Sequence, residues 1–146
     1  MTKHDERLGL MIWFRLSRFY NESLRKSNQH LKAYNLTVAQ FDVLVQTGAH
    51  EPLSQQQLAD KLFVTKGNMT QLLKKLEDRG LILREQIWRT KTLSLTQAGV
   101  DLLNKTAAAQ ESFQASQFQG LAREEQKQLL ELLRKLQKTN KHSGGI

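Results

Sequence analysis

Apolar residues recur along this chain mostly at helical spacing. Between positions 8 and 24 they return every third or fourth residue with charged residues between them, as on an amphipathic helix. Trp13 and Phe14 widen this stripe, which indicates that the helix contacts more than one neighbour. A seam of leucines predicts a last helix over about 123–138 that needs a partner surface. This seam comprises Leu129, Leu132, Leu133 and Leu136.

Local signals place three shorter helices between these two. A hydroxyl residue stands three positions before a glutamine at 37–40 and again at 54–57, and this capping-box spacing marks a helix start. A third helix is predicted from Thr65 to Gly80, where the glycine ends it. The apolar face of that helix carries Met69, Leu72, Leu73 and Leu76.

The spacing changes after Gly80. Residues 81–83 and 93–95 are short strand-like runs around a polar, cationic middle, which predicts a two-stranded β-hairpin. Thr96 then caps a helix that continues towards Phe118, and a break falls near Gly120. The predicted fold class is therefore mainly α, with a small β-hairpin.

Length and composition narrow the class of protein. At 146 residues, with 39% hydrophobic and 25% charged residues, the chain fits one folded domain. Its net charge of +8 indicates a polyanionic partner. The absence of cysteine excludes disulfides, thiolate nucleophiles and zinc sites built on sulfur. No apolar run approaches the ~18 residues of a membrane span and no signal-peptide pattern is found, so we expect a cytoplasmic protein without membrane contact.

Signals for catalysis or metal binding are weak. The four histidines form no close pair in the sequence. Neighbouring carboxylates, as at 77–78 and 124–125, point to different sides of a helix and are usually solvated. We therefore predict no enzymatic activity, no cofactor and no metal site.

Two short helices followed by a hairpin form a winged helix-turn-helix, whose second helix fits the major groove of double-stranded DNA. The span 65–75 is predicted to set the sequence specificity. The proposed base-reading residues are Asn68, Thr70 and Gln71. The other proposed DNA contacts, most of which meet phosphates, are Ser54, Gln55, Thr65, Lys66, Lys74, Lys75, Arg84, Arg89 and Lys91.

Some of these positions leave alternatives open. Gly67 either allows a close backbone approach to DNA or is simply tolerated in an early helical turn, and the two are equally favoured. The hairpin cations are either phosphate contacts or a solvated surface, and their position after the third helix favours DNA. For Trp88, at the hairpin tip, we expect packing against a neighbour rather than stacking on bases.

Four stretches, taken in order, resemble the MarR family of winged-helix repressors. They are 36–44 (LTVAQFDVL), 53–62 (LSQQQLADKL), 72–82 (LLKKLEDRGLI) and 93–99 (LSLTQAG). The final helix is similar to the family at 120–125 and 132–136. The resemblance covers nearly the whole chain. It implies a homodimer in which the first and last helices of two chains interlock and each winged helix binds half of a palindrome.

The chain departs from the family pattern in the hairpin, which is the wing of the fold. Family members usually carry Asp-Arg-Arg there, and the matching positions are Ile87, Trp88 and Arg89, so that one arginine is retained. The wing is also shorter than usual. Ala122 occupies a position where a capping serine or threonine is common in the family.

The resemblance also implies a separate role for each of three segments of the chain. Residues 1–36 form an N-terminal dimerisation helix, 37–96 the winged helix-turn-helix, and 97–146 the C-terminal dimerisation helices, all within one integrated domain. Family members often bind small aromatic or phenolic acids between these parts. The candidate lining residues are Trp13, Phe14, Tyr20 and His30. Aromatic residues at helical spacing more often belong to a core or a dimer interface, which is the stronger alternative.

The predicted function is that of a homodimeric repressor that binds a pseudo-palindromic operator and is released by a small aromatic ligand. Two alternatives remain. In the first, the winged helix binds another protein and the basic charge serves solubility. In the second, the chain is an architectural DNA binder that responds to no ligand.

Overall fold

The computed structural model describes residues 1–62 and 66–143. Within these ranges the chain is mainly helical with a small antiparallel sheet, which confirms the predicted fold class. The helices are α1 Lys3–Leu31, α2 Val38–Ala49, α3 Gln55–Leu62, α4 Lys66–Asp78, α5 Gln97–Ser116 and α6 Arg123–Ser143. The strands are β1 Leu53–Ser54, β2 Ile82–Ile87 and β3 Thr90–Leu95. A single turn of 3-10 helix, Lys32–Tyr34, follows α1.

The predicted helix boundaries are formed by the expected capping contacts. Thr37 Oγ1 accepts a hydrogen bond from the Gln40 amide at 3.1 Å, and Gln40 Oε1 accepts one from the Thr37 amide at 3.0 Å. Ser54 and Gln57 make the same reciprocal pair ahead of α3, with both bonds at 3.0 Å. Gly80, two residues beyond α4, has φ +71°, a left-handed conformation that glycine adopts without strain.

The sheet is larger than the sequence predicted. The strand order is β1-β3-β2, so that β1 adds a third strand beside the hairpin through the pair Leu53 and Leu93. The strands β2 and β3 pair over six positions, from Ile82 opposite Leu95 to Ile87 opposite Thr90. The polar middle expected to be a loop is therefore mostly strand, and the turn itself is two residues long.

The hydrophobic core lies between the winged-helix elements and the end of α1. It contains the buried side chains of Leu31, Leu36, Val43, Leu44, Leu53, Leu58, Met69, Leu73, Leu76, Leu81, Ile82 and Leu93. Three of these residues come from α4 at helical spacing, two come from α2 and one from α3, and each strand contributes at least one. This shared core fixes the orientation of α4 relative to the hairpin.

The two ends of α1 have different surroundings. Its last third packs on the core through the buried side chains of Ser23, Ser27 and Leu31. Its first two thirds carry an apolar surface whose members are each 41% to 64% exposed. We name this surface the apolar face of α1; it comprises Leu8, Leu10, Met11, Ile12, Trp13, Phe14, Leu16, Phe19 and Tyr20. An apolar surface of this extent is unusual on a monomeric protein.

By its contacts the chain divides into two compact units, and the second begins at Ser112. In this second unit the seam of leucines predicted for the last helix lies on α6, with Leu132 and Leu136 exposed. The start of α6 retains half of a capping box, because Glu125 Oε1 accepts a hydrogen bond from the Ala122 amide at 2.9 Å. The missing hydroxyl at position 122 therefore removes one of the two capping bonds.

Candidate nucleic-acid interface

The helix-turn-helix consists of α3 and α4, which are joined by residues outside the described ranges. Leu58 of α3 and Met69 of α4 are both buried in the common core, so the two helices are held against the same apolar surface. The predicted contact Thr65 lies outside the described residues, and α4 begins at Lys66. The position of α4 is thus set by core packing on one face, which leaves its opposite face for recognition.

The outward face of α4 is polar and basic. Met69, Leu73 and Leu76 are buried on the inner face. The outward residues proposed as DNA contacts whose side chains the structure describes are exposed, as the sequence predicted. These exposed residues are Asn68, Thr70, Gln71, Lys74 and Lys75. Amide and hydroxyl groups near the start of such a helix suit base edges, and the two lysines suit phosphates.

Gly67 lies on this same face, in the first turn of α4. A methyl group added at its α-carbon would meet no atom within 4 Å among the described residues outside its own helical turn. The packing of the chain therefore does not require a glycine there. Both interpretations of Gly67 given by the sequence remain open.

The start of α3 also faces outward at the N-terminal side of the pair. Ser54 uses its hydroxyl to cap α3, and Gln55 is only half-buried. The Gln55 Oε1 atom is buried and has no hydrogen-bond partner within the described part of the chain. Of these two predicted contacts, Ser54 therefore has a structural role in addition to any contact with DNA.

The hairpin places its three predicted cations differently. Arg89 and Lys91 are exposed at and beside the two-residue turn. Arg84 lies in the middle of β2, where its guanidinium makes two hydrogen bonds to the Glu77 carboxylate, at 3.1 and 3.4 Å. The prediction that all three project from a loop is therefore wrong for Arg84, because six-residue strands replace most of that loop.

Trp88 was predicted to pack against a neighbour, and within the described part of this chain it does not. Its side chain is 93% exposed, at the first position of the turn between β2 and β3. Its φ angle is +59°, a conformation that bulky residues rarely adopt. The turn is two residues long, so the indole lies at the very end of the hairpin.

The four residues predicted to line a ligand cleft are not brought together on one chain. All four lie on α1, and Trp13 precedes His30 by 17 residues, or about 25 Å along a straight helix. His30 is half-buried, and its Nδ1 lies 2.9 Å from Oε1 of the buried Gln110 on α5. Trp13, Phe14 and Tyr20 belong to the exposed apolar face of α1.

Sequence reasoning missed a surface recess of about 460 Å³ beside the end of α4. Arg79 crosses it and donates a hydrogen bond to the carbonyl of Asn35 at 2.6 Å. Asn35 has φ +55°, in the left-handed region that asparagine tolerates. The lining residues are Lys32, Asn35, Leu36, Thr37, Gln40, Lys75, Asp78 and Arg79. The asparagine between two helical segments was the available signal for a tight turn here.

The pKa values of Asp42 and Asp5 are shifted in opposite directions. Asp42, in the middle of α2, is half-buried, and its removal from water raises its pKa above the usual 3.8. Asp5 shows the opposite shift at the start of α1. Hydrogen bonds from the amide and the hydroxyl of Thr2 lower the pKa of Asp5 below 3.8.

Metal binding and membrane insertion are two other properties that the described residues bear on. In residues 1–62 and 66–143, no three acidic or histidine side chains are grouped so that they could hold a metal ion. The helices in those ranges do not combine the length and hydropathy that a membrane crossing requires.

Comparison with known proteins identifies the family. The model of the MarR family matches residues 34–86, from the end of the 3-10 helix into β2. An HTH-type transcriptional regulator of Bacillus cereus is 47% identical over 135 residues, which is 92% of each chain. This chain belongs to the MarR family of transcriptional regulators. It has the DNA-binding winged-helix fold of that family, and its relatives are regulators rather than enzymes.

Solved structures support the same assignment. The chain is similar to MepR of Staphylococcus aureus in its complex with DNA, with a TM-score of 0.79 and 25% identity over 86% of this chain and 96% of that one. It is also similar to CouR of Rhodococcus jostii RHA1 bound to p-coumaroyl-CoA, with a TM-score of 0.77 and 26% identity over 86% of this chain and 90% of the other.

Proposed function

We propose that this MarR-family regulator is a repressor that binds a pseudo-palindromic operator as a homodimer. The observation that carries the proposal is the outward face of α4, which is polar and basic opposite an apolar face that packs on the core. One such helix enters the major groove of each half-site, and the half-site centres lie about one helical turn, ~10 bp, apart. The similar MepR chain is known in complex with DNA, which supports the choice of partner.

The roles of individual residues follow from their positions. Asn68, Thr70 and Gln71 lie on the outward face in the first half of α4, where side chains reach base edges. The positioning contacts around them, mostly lysines and arginines, hold the protein on phosphates. In this set we keep Ser54, Gln55, Lys66, Lys74, Lys75, Arg89 and Lys91, and Thr65 stays a proposed DNA contact. Arg84 leaves the set because Glu77 already pairs with its guanidinium.

The apolar face of α1 supports the homodimer. Its large exposed side chains would be costly in water, at about 25 cal/mol for each Å² of apolar surface. Burial against a second copy removes that cost and brings two copies of α4 into one assembly. Sedimentation equilibrium of the purified chain tests this step, and a monomer at micromolar concentration would contradict it.

A small aromatic or phenolic acid is the proposed effector. The similar CouR is known with p-coumaroyl-CoA bound, which supports an aromatic acyl ligand for this family fold. Of the four candidate residues, His30 lies where α1 packs on α5, while Trp13, Phe14 and Tyr20 would reach a cleft only in a dimer. Titration of p-coumaroyl-CoA and simple phenolic acids against a preformed complex with DNA tests this proposal.

The decisive experiment is fluorescence anisotropy on a selected duplex and on random duplex, each at two salt concentrations. We expect a palindromic sequence to bind about 10³-fold more tightly or better, with an affinity that falls steeply as salt rises. Equal binding to all duplexes would instead indicate an architectural protein. A folded dimer that binds no duplex would make the winged helix a surface for another protein.

A further inference from the structure

The tip of the wing combines three features that no role described above requires. Trp88 is 93% exposed, and the preceding Ile87 is 55% exposed. Leu83 lies on the same side of β2 as Ile87, because strand residues alternate between faces, and it is exposed too. The charged Glu85 lies between them on that face, so the exposed apolar patch at the tip consists of Ile87 and the indole of Trp88.

The backbone conformation at Trp88 is unfavourable for a tryptophan. Positive φ at the first position of a two-residue hairpin turn normally selects glycine, since a side chain there costs about 1 kcal/mol or more. The turn is held by the pair Ile87 and Thr90 and by a hydrogen bond from Gln86 Nε2 to the Trp88 carbonyl at 3.3 Å. A bulky residue kept in an unfavourable conformation, with its side chain 93% exposed, indicates a function outside the chain.

The charges beside the indole point to one kind of partner. Arg89 shares the turn with Trp88, and Lys91 follows on β3, and both are exposed. An aromatic group beside two cations complements a surface on which phosphates lie next to stacked bases. The minor groove of DNA has that form, and its width of about 6 Å admits a planar ring.

We propose that Trp88 is a wedge, which the wing inserts into the minor groove beside the half-site occupied by α4. Apolar side chains that enter this groove partly unstack a base step and kink the duplex, and Arg89 and Lys91 would hold the flanking phosphates. This inference rests on the proposed DNA binding and deepens it. The wedge adds a preference for easily deformed pyrimidine–purine steps where the indole enters the groove. These base pairs lie outside the stretch that α4 contacts.

Three variants separate the wedge from a merely structural tryptophan. Trp88→Gly relieves the backbone and should leave the melting temperature equal or higher, yet weaken operator binding about tenfold or more. Trp88→Phe keeps an aromatic wedge and should retain most of the affinity. Arg89→Ala should lower the salt slope by about 1, whereas Trp88→Gly should leave that slope unchanged because it removes no charge.

Two further measurements complete the test. Indole emission should change when operator is added to the wild type, and this change should be lost in Trp88→Phe. Replacing a flexible step beside the half-site by a stiff one should weaken the wild type more than Trp88→Gly.

The possible outcomes are distinct. If Trp88→Gly binds the operator as tightly as the wild type, the wedge is overturned while the regulator stands. If the wild type binds no duplex, the wedge and the proposed function are both overturned. Should Trp88→Gly fail to fold, Trp88→Asn provides the same comparison, because asparagine tolerates the left-handed conformation.

Discussion

Arg84 Nη2 donates to Glu77 Oε1 at 3.1 Å, and this ion pair joins the first strand of the wing to the C-terminal half of α4. Both side chains are partly shielded from water, with exposed fractions of 23% and 36%. The wing and α4, the two parts of the fold that we propose to contact DNA, are therefore linked by a charge pair as well as by the core. The ion pair therefore helps to fix the orientation of the wing relative to α4.

Arg84→Ala should loosen this link without removing a phosphate contact. We expect a loss of roughly 1 kcal/mol or less in the free energy of unfolding, measured by urea denaturation. Operator affinity should fall modestly, with an unchanged dependence on salt. Glu77→Gln serves as the control, since it breaks the same pair from the other side. A salt slope reduced by about 1 in Arg84→Ala would return this residue to the phosphate-contacting set.

This pair also shows where sequence reasoning stops. The helix starts at Thr37 and Ser54 were predictable because capping boxes are local signals within four residues. The partner of Arg84 and the pairing of β1 with β3 depend on contacts between distant segments, which no local pattern encodes. The exposure of Trp88 was mispredicted because composition favours buried tryptophan, whereas the length of the turn decided its position.

The face of α4 itself was predictable, because helical spacing separates buried from exposed positions. Gln71 and Lys75 both lie on it, one assigned to bases and the other to phosphate. Gln71→Ala should reduce the free-energy difference between operator and random-duplex binding by about 1–3 kcal/mol, with little change in the salt dependence of affinity.

Lys75→Ala should weaken binding to the operator and to random duplex by the same factor, and it should lower the salt slope by about 1. Equal slopes in Lys75→Ala and the wild type would remove the phosphate assignment.

Asp42 predicts a pH dependence of stability. Burial raises its pKa in the folded state above 3.8, so the folded chain binds this proton more tightly than the unfolded chain does. The associated stability is present below pH 3.8 and is lost as pH rises through the raised value. Asp42→Asn should therefore be more stable than the wild type at pH 7, and the difference should shrink towards low pH.

Urea denaturation at several pH values measures this difference. Asp5→Asn is the matched control, because hydrogen bonds from Thr2 lower the pKa of Asp5 and so reverse the sign. That variant should show no gain at pH 7. A constant difference between Asp42→Asn and the wild type at all pH values would mean that ionisation of Asp42 is not its cause.

Gly99 marks the contact between the start of α5 and the base of the hairpin. Its amide donates to Thr96 Oγ1 at 3.1 Å, and a methyl group at its α-carbon would overlap the carbonyl of Leu81. That same carbonyl accepts a hydrogen bond from the Thr96 amide at 3.1 Å, so it has little freedom to move. Gly99→Ala should therefore destabilise the chain by about 1–3 kcal/mol, despite the better helix propensity of alanine. An unchanged melting temperature would contradict this packing.

Gly67 gives the opposite expectation for stability and decides between its two interpretations. Because an added methyl group meets no atom of the described residues beyond its own helical turn within 4 Å, Gly67→Ala should stabilise α4 by up to about 1 kcal/mol. If the backbone of Gly67 approaches DNA closely, the same substitution should weaken operator binding while it raises the melting temperature. If an early helical turn merely tolerates the glycine, affinity should stay equal or improve, since a firmer α4 loses less freedom on binding. Measuring the melting temperature and the operator affinity of Gly67→Ala therefore separates a role in recognition from a neutral position. Gly99→Ala is the control, because it shows that the stability assay detects a glycine that the fold requires.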